Sequence, residues 1–111
     1  MLTRFAIFAG RLKPGCEAEM RGFVDTVMAP LWAKFDCAEE VRVYFGVEQE
    51  ANGPVVPLIL AISYADRAAM QKGITSPARD AAKERLPELY ERFFEEIRLN
   101  HYVMDRAILT G

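Results

Sequence analysis

The spacing of apolar and polar positions changes period several times along this chain, and each change marks an element. Residues 3–12, TRFAIFAGRL, are rich in β-formers and stop at the breaker KPG. Phe5, Ile7 and Ala9 share one face of the predicted strand, and Ala6, Phe8 and Gly10 share the other. Neither face is polar, so the strand is expected to be covered on both sides. After Pro14 the period becomes helical. Met20, Phe23, Val24, Val27, Leu31 and Phe35 recur at spacings of three and four, and Met28 and Trp32 widen the stripe. Glu17 and Glu19 suit the positive end of the helix dipole. Pro30 cannot donate its backbone hydrogen bond and predicts a kink or restart.

Period two returns in residues 38–50, AEEVRVYFGVEQE. Val41, Val43, Phe45 and Val47 point one way; Arg42, Tyr44, Gly46 and Glu48 point the other. Asn52-Gly53 is a hairpin turn signal. The run LILAISY, residues 58–64, reads as a buried strand, and Pro54 and Pro57 keep the stretch before it out of a central ladder. A short helix follows, with Asp66 as its N-cap and Gly73 as its stop. A second helix starts at Ser76, with Pro77 in its first turn. Its stripe is Leu86, Leu89, Tyr90, Phe93, Phe94 and Ile97, and Pro87 is expected to split it into two pieces. RLNHYVMDRAIL reads as the last strand, with Val103, Met104, Ile108 and Leu109 as apolar members.

The order is β-α-β-β-α-β, the split βαβ arrangement. The predicted fold class is α+β and ferredoxin-like, with a four-stranded antiparallel sheet and helices on one face. Such a sheet leaves its second face bare. Here the first and third strands are apolar on both faces, so something is expected to cover the second. A second copy of the same sheet, in a two-fold homodimer, is the simplest cover.

Composition narrows the function classes. The chain has 111 residues, 51% hydrophobic and 27% charged, which fits one domain spanning 1–111. Its net charge of −2 argues against nucleic-acid binding through phosphates. The first apolar run ends by Gly10, too short for a membrane helix and without a cleavage pattern, so a cytoplasmic protein is expected. Cys16 and Cys37 lie at opposite ends of the first helical segment, roughly 30 Å apart at helical rise, and are expected to be free thiols.

This element order and length, with the helix restart SPAR at Ser76 to Arg79 and the downstream YERFFEEI, resembles the dimeric α/β-barrel superfamily. The resemblance covers about residues 3–109 and assigns no subfamily. It implies two ferredoxin-like subunits packed sheet to sheet around a small apolar cavity. It also implies relatives among antibiotic-biosynthesis and heme-degrading monooxygenases, stress-responsive barrel proteins, ethyl tert-butyl ether degradation-like proteins and sugar mutarotases. The helices contain no histidine, which argues against a heme ligand, and no Gly-rich phosphate loop is present. No cofactor is expected.

Few residues carry chemistry. His101 is the only histidine and titrates near neutrality when unperturbed. Asp105 shares its strand face but lies about 13 Å away at strand rise, too far for a direct pair. Tyr102 and Arg106 fall on the opposite face. His101 is therefore a candidate catalytic residue only with a partner from another strand or subunit; otherwise it is a strand-end side chain bonded to solvent or backbone. Arg42 and Tyr44 are the other candidates, placed with Glu48 on the bare face, where Tyr44 can hydrogen-bond a ligand and Arg42 can pair with a carboxylate or phenolate. An inter-subunit polar contact is the competing use. Trp32 and Tyr64 can stack on a flat ligand, although Trp32 sits beside the core stripe. RDAAKER reads as a solvated helix face. One histidine and no carboxylate cluster give no metal site. The expected function is a cofactor-independent enzyme, monooxygenase-like or isomerase-like, acting on a small aromatic molecule in an apolar barrel cavity. The alternative is a non-catalytic ligand-binding or stress-responsive protein of the same fold.

Overall fold

The computed structural model of the chain describes residues 1–107. The strands are β1 (Leu2–Leu12), β2 (Glu40–Phe45), β3 (Leu58–Tyr64) and β4 (Phe94–Asp105). They form one antiparallel sheet in the order β2-β3-β1-β4. Between β1 and β2 run α1 (Glu17–Phe23), a π-helical turn (Val24–Met28) and α2 (Ala29–Trp32); between β3 and β4 run α3 (Arg67–Ile74) and α4 (Pro77–Phe93). The architecture is the expected α+β ferredoxin-like one, with its helices on one face of the sheet.

Period two sets what each face presents. Ala6 is opposite Leu60 on one side and His101 on the other, so Arg4, Ala6 and Phe8 share a face with Leu58, Leu60, Ile62, Tyr64, Leu99 and His101. That face lies under the helices. Phe8 is 1% exposed and packs against Trp32 and Tyr90, with ring centroids 6.3 and 6.4 Å away. Phe23 against Phe93, at 5.6 Å, ties α1 to α4. The other face carries Thr3, Phe5, Ile7, Ile59, Ala61, Tyr44, Tyr102 and Met104; Tyr102 and Met104 are 50% and 51% exposed.

Several expectations change in detail. Pro30 marks a restart, as α2 begins at Ala29 with the proline in its first turn. The turn before it widens, so that the Ala29 amide bonds to the Val24 carbonyl five residues back. Widening relieves the clash a proline ring makes with the carbonyl four residues earlier. Pro87 does not split α4, which is continuous; the proline lies on the exposed side of the helix. Phe94 to Ile97 belong to β4 rather than to the helix, because Phe94 and Ile97 pair with Leu12 and Gly10 of β1. Pairing with a neighbouring strand outweighs the four-residue spacing of this stretch. Gly10, at φ 145°, permits the close approach: a β-carbon there would overlap the Glu96 carbonyl. β2 stops at Phe45, so Glu48 does not share a strand face with Arg42, and Val47 is 87% exposed. Ile108 and Leu109, expected in the last strand, lie outside the described residues. Asp66 caps α3 as expected, accepting from the Ala69 amide at 2.8 Å. Ser76 precedes α4, but its hydroxyl donates back to the Gly73 carbonyl at 2.7 Å rather than capping α4. Cys16 and Cys37 are free thiols.

Candidate functional site

The three residues singled out from sequence do not meet. Arg42 and Tyr44 are together on the open face. Arg42 Nη1 lies 3.4 Å from the Tyr44 hydroxyl, Arg42 Nη2 donates to Ser63 Oγ at 3.1 Å, and Arg42 Nε lies 3.2 Å from the Glu40 carboxylate. Ser63 Oγ is also 2.8 Å from Thr3 Oγ1. The charge of Arg42 is thus engaged in a network at one end of the open face, beside a shallow groove that also includes Phe5 and Met104. His101 is on the opposite, helix-side face, in the middle of edge strand β4 rather than at its start, and part of its side chain is open to solvent. Strand parity separates them: His101 is opposite Ala6, whereas Arg42 is opposite Ala61.

His101 has other company. It lines a cavity of about 190 Å³ between the sheet and the helices. The walls are Ala6, Phe8, Leu60, Ile62, Leu86 and Leu99, closed by Trp32 and Phe35. Arg4, Tyr64, Arg79, Lys83 and His101 supply the polar groups. No carboxylate lines this cavity among the described residues. The sheet register brings the groups together. Arg4 is opposite Val103 on β4 and Ile62 on β3, so His101 and Tyr64 are its diagonal neighbours, about 7 Å away across the sheet. Arg79, Ala82, Lys83 and Leu86 project from one side of α4, at helical spacing.

The electrostatics of the cavity are one-sided. Burial lowers the pKa of Arg4, and the charge of Arg79 adds to that effect. Burial pushes the Tyr64 hydroxyl up, so it stays protonated, and Arg4 opposes that shift only in part. Burial, then the charges of Arg4 and Arg79, hold His101 down at about 4, so its imidazole is neutral at physiological pH. Arg4 makes no ion pair among the described residues, and Arg79 has only the exposed Asp80 at 3.9 Å. The Tyr64 side chain is fully buried and its hydroxyl has no hydrogen-bond partner. Gly73 makes room for it: a β-carbon there would come within 2.7 Å of that hydroxyl.

Trp32 is a cavity wall and a core residue at once, and Tyr64 enters as a polar group rather than a stacking plane. Arg4 and Arg79 were not candidates from sequence. Both break a local rule. Arg4 interrupts an apolar strand face, and Arg79 is a cation in the first turn of α4, where the helix dipole disfavours it. The run beginning at Arg79 is therefore not wholly a solvated face. Among the described residues no group of three or more potential ligands is placed to hold a metal ion, and no helix is long and apolar enough to cross a membrane.

Solved structures share the whole architecture. An EthD family protein from Bacillus halodurans superposes with a TM-score of 0.73 at 14% identity, over 96% of this chain and 99% of that one. The likeness shows a shared ferredoxin-like fold. An antibiotic biosynthesis monooxygenase gives 0.59 at 14% identity, over 97% of this chain and 100% of the other. A dimeric protein of unknown function with a ferredoxin-like fold, from Bacteroides fragilis, gives 0.55 at 12% identity, over 91% and 94%. No protein-family model and no curated protein matches the sequence.

Proposed function

We propose that this barrel-fold protein is a cofactor-independent enzyme, monooxygenase-like or isomerase-like, acting on a small aromatic molecule in the cavity between sheet and helices. The observation that carries the proposal is the grouping of a neutral imidazole, the guanidinium groups of Arg4, which has no ion pair among the described residues, and of Arg79, which has only the exposed Asp80, and a buried tyrosine hydroxyl on otherwise apolar walls. A cavity of about 150 Å³ holds benzene, so 190 Å³ suits one substituted ring. His101 can take a proton from an acidic O–H or C–H of such a ring, and Arg4 and Arg79 can stabilise the anion left behind. Phe8, Trp32 and Phe35 give the cavity an aromatic wall. The test is a turnover screen of hydroxylated single-ring aromatics, in air and under argon, with the native protein and His101→Ala. Turnover that His101→Ala leaves unchanged removes His101 from the reaction.

The open face supports a homodimer with a second copy of the chain. Its exposed Tyr44, Tyr102 and Met104 continue the half-buried Phe5, Ile7 and Ile59, and a protein of this fold is described as dimeric. In such a dimer the Arg42–Tyr44–Ser63 network becomes an interface contact, and no active-site role is needed for it.

One observation favours the second reading, a non-catalytic ligand-binding or stress-responsive protein. No carboxylate reaches His101 to fix its tautomer, as a general base usually requires. Saturable binding of aromatics without turnover of any of them decides for that reading.

A further inference from the structure

The polar groups of the cavity do not balance. Arg4, Arg79 and Lys83 bring positive charge, and among the described residues no carboxylate lines the cavity to answer it, Arg79 having only the exposed Asp80 at 3.9 Å. Arg4 is half-buried, and burying an unpaired guanidinium is unfavourable. Arg79 opposes the dipole of its own helix instead of complementing it. The Tyr64 hydroxyl is a donor with no acceptor, in a side chain 0% exposed. These features share one requirement, an anionic acceptor at the Arg4–Arg79 end of the cavity. The remaining walls, Phe8, Trp32 and Leu99 among them, call for a flat apolar body.

We propose that the ligand of this cavity is a small aromatic anion, a single ring bearing a carboxylate or an ionised hydroxyl, held with its charged oxygens between Arg4 and Arg79. This rests on the reading of the cavity as an aromatic-binding site and adds the charge. Guanidinium groups bind such oxygens through charge-assisted hydrogen bonds. The ring lies along the aromatic wall. Lys83 and His101, the lining residues most open to solvent, mark the entrance. The groups facing the His101 imidazole are Arg4 from β1, Tyr64 from β3, and Arg79 and Lys83 from α4. A bound anion offsets the cations among them and favours a proton on the imidazole.

The test compares 4-hydroxybenzoate with its neutral isostere 4-hydroxybenzamide by calorimetry at pH 7. The NMR signal of His101, the only histidine, reports where each binds. The benzoate is expected to bind about tenfold tighter than the amide, the size of one charge-assisted hydrogen bond. Arg79→Gln is expected to bring the two affinities to near parity, the benzoate losing more than the amide. The half-exposed Arg79 makes this variant safe for the fold, and Arg79→Lys is expected to restore part of the preference. Titrated with benzoate present, His101 is expected to show a higher midpoint than in the free protein. Equal affinity for the two probes overturns the anion while leaving an aromatic site standing. A preference for benzoate that survives Arg79→Gln overturns the assignment to this pair of arginines. Binding of neither probe at millimolar concentration, with the His101 signal unmoved, overturns both the anion and the aromatic reading beneath it.

Discussion

The two faces of the sheet are made by the same four strands, yet they carry different kinds of chemistry. Under the helices, apolar side chains are interrupted by Arg4, which has no ion pair among the described residues, by the Tyr64 hydroxyl, which has no hydrogen-bond partner there, and by the solvent-exposed His101. On the open face, Thr3, Ser63, Arg42, Tyr44 and Glu40 are also polar and bond mostly to one another, although the buried Arg42 Nε, 3.2 Å from the Glu40 carboxylate, makes no hydrogen bond. A mostly self-bonded network is a structural device. An open set of donors and cations around a cavity is a binding device. The difference teaches that the number of polar residues on a face matters less than whether their hydrogen bonds and charges are already spent.

The largest effect that sharpens the contrast is on stability. Phe8→Ala removes a fully buried ring and is expected to cost about 3–5 kcal/mol by denaturant unfolding. Tyr102→Ala on the open face is expected to cost the dissociated subunit only about 0.5 kcal/mol, measured at low protein concentration. Equal costs would erase the distinction between a packed and an unpacked face.

Next in size is association. Tyr102→Asp places a charge on the apolar open face, and light scattering at micromolar concentration is expected to show a dimer for the native chain and a monomer for the variant. A monomeric native chain would leave the open face without its proposed cover.

A smaller effect concerns the unspent hydroxyl. Tyr64→Phe removes a buried donor with no acceptor and is expected to raise stability by about 1 kcal/mol while weakening 4-hydroxybenzoate binding. A loss of stability instead would mean that the hydroxyl is already satisfied in the free protein.

The smallest is the pH dependence set by His101. Its folded value, about 4, lies below the ordinary 6.5. Between the two, the unfolded chain binds a proton that the folded chain refuses. Stability therefore falls as pH drops from about 6.5 to about 4, and this group contributes nothing to pH dependence above that range. His101→Gln is expected to flatten that part of the curve in denaturant midpoints. An unchanged slope would place the imidazole in an ordinary solvated setting.

Much of the fold was legible because it rests on periodicity. The two-sided apolar pattern of β1 and β3, the alternation of Val41, Val43 and Phe45, and the helical stripe from Met20 to Phe35 each follow from burial along a single element. The boundary at Phe94 was not legible. Tyr90, Phe93, Phe94 and Ile97 satisfy a helical spacing as well as the start of a strand, and only pairing with β1 decides between them. The candidate site was legible in one residue, His101. Arg4 and Arg79 lie 75 positions apart in sequence, and nothing local tells that both reach one cavity.

By itself the sequence determined the element order, the ferredoxin-like class and the apolar character of both sheet faces, because these depend on hydrophobic periods of two and of about 3.6 residues. It also set Asp66 as a helix cap and separated the two cysteines. Only the tertiary structure decided which face each polar residue occupies relative to the helices, because parity within a strand says which residues share a side and not what covers it. That step parted His101 from Arg42 and Tyr44, and set it instead with Arg4, Tyr64 and Arg79.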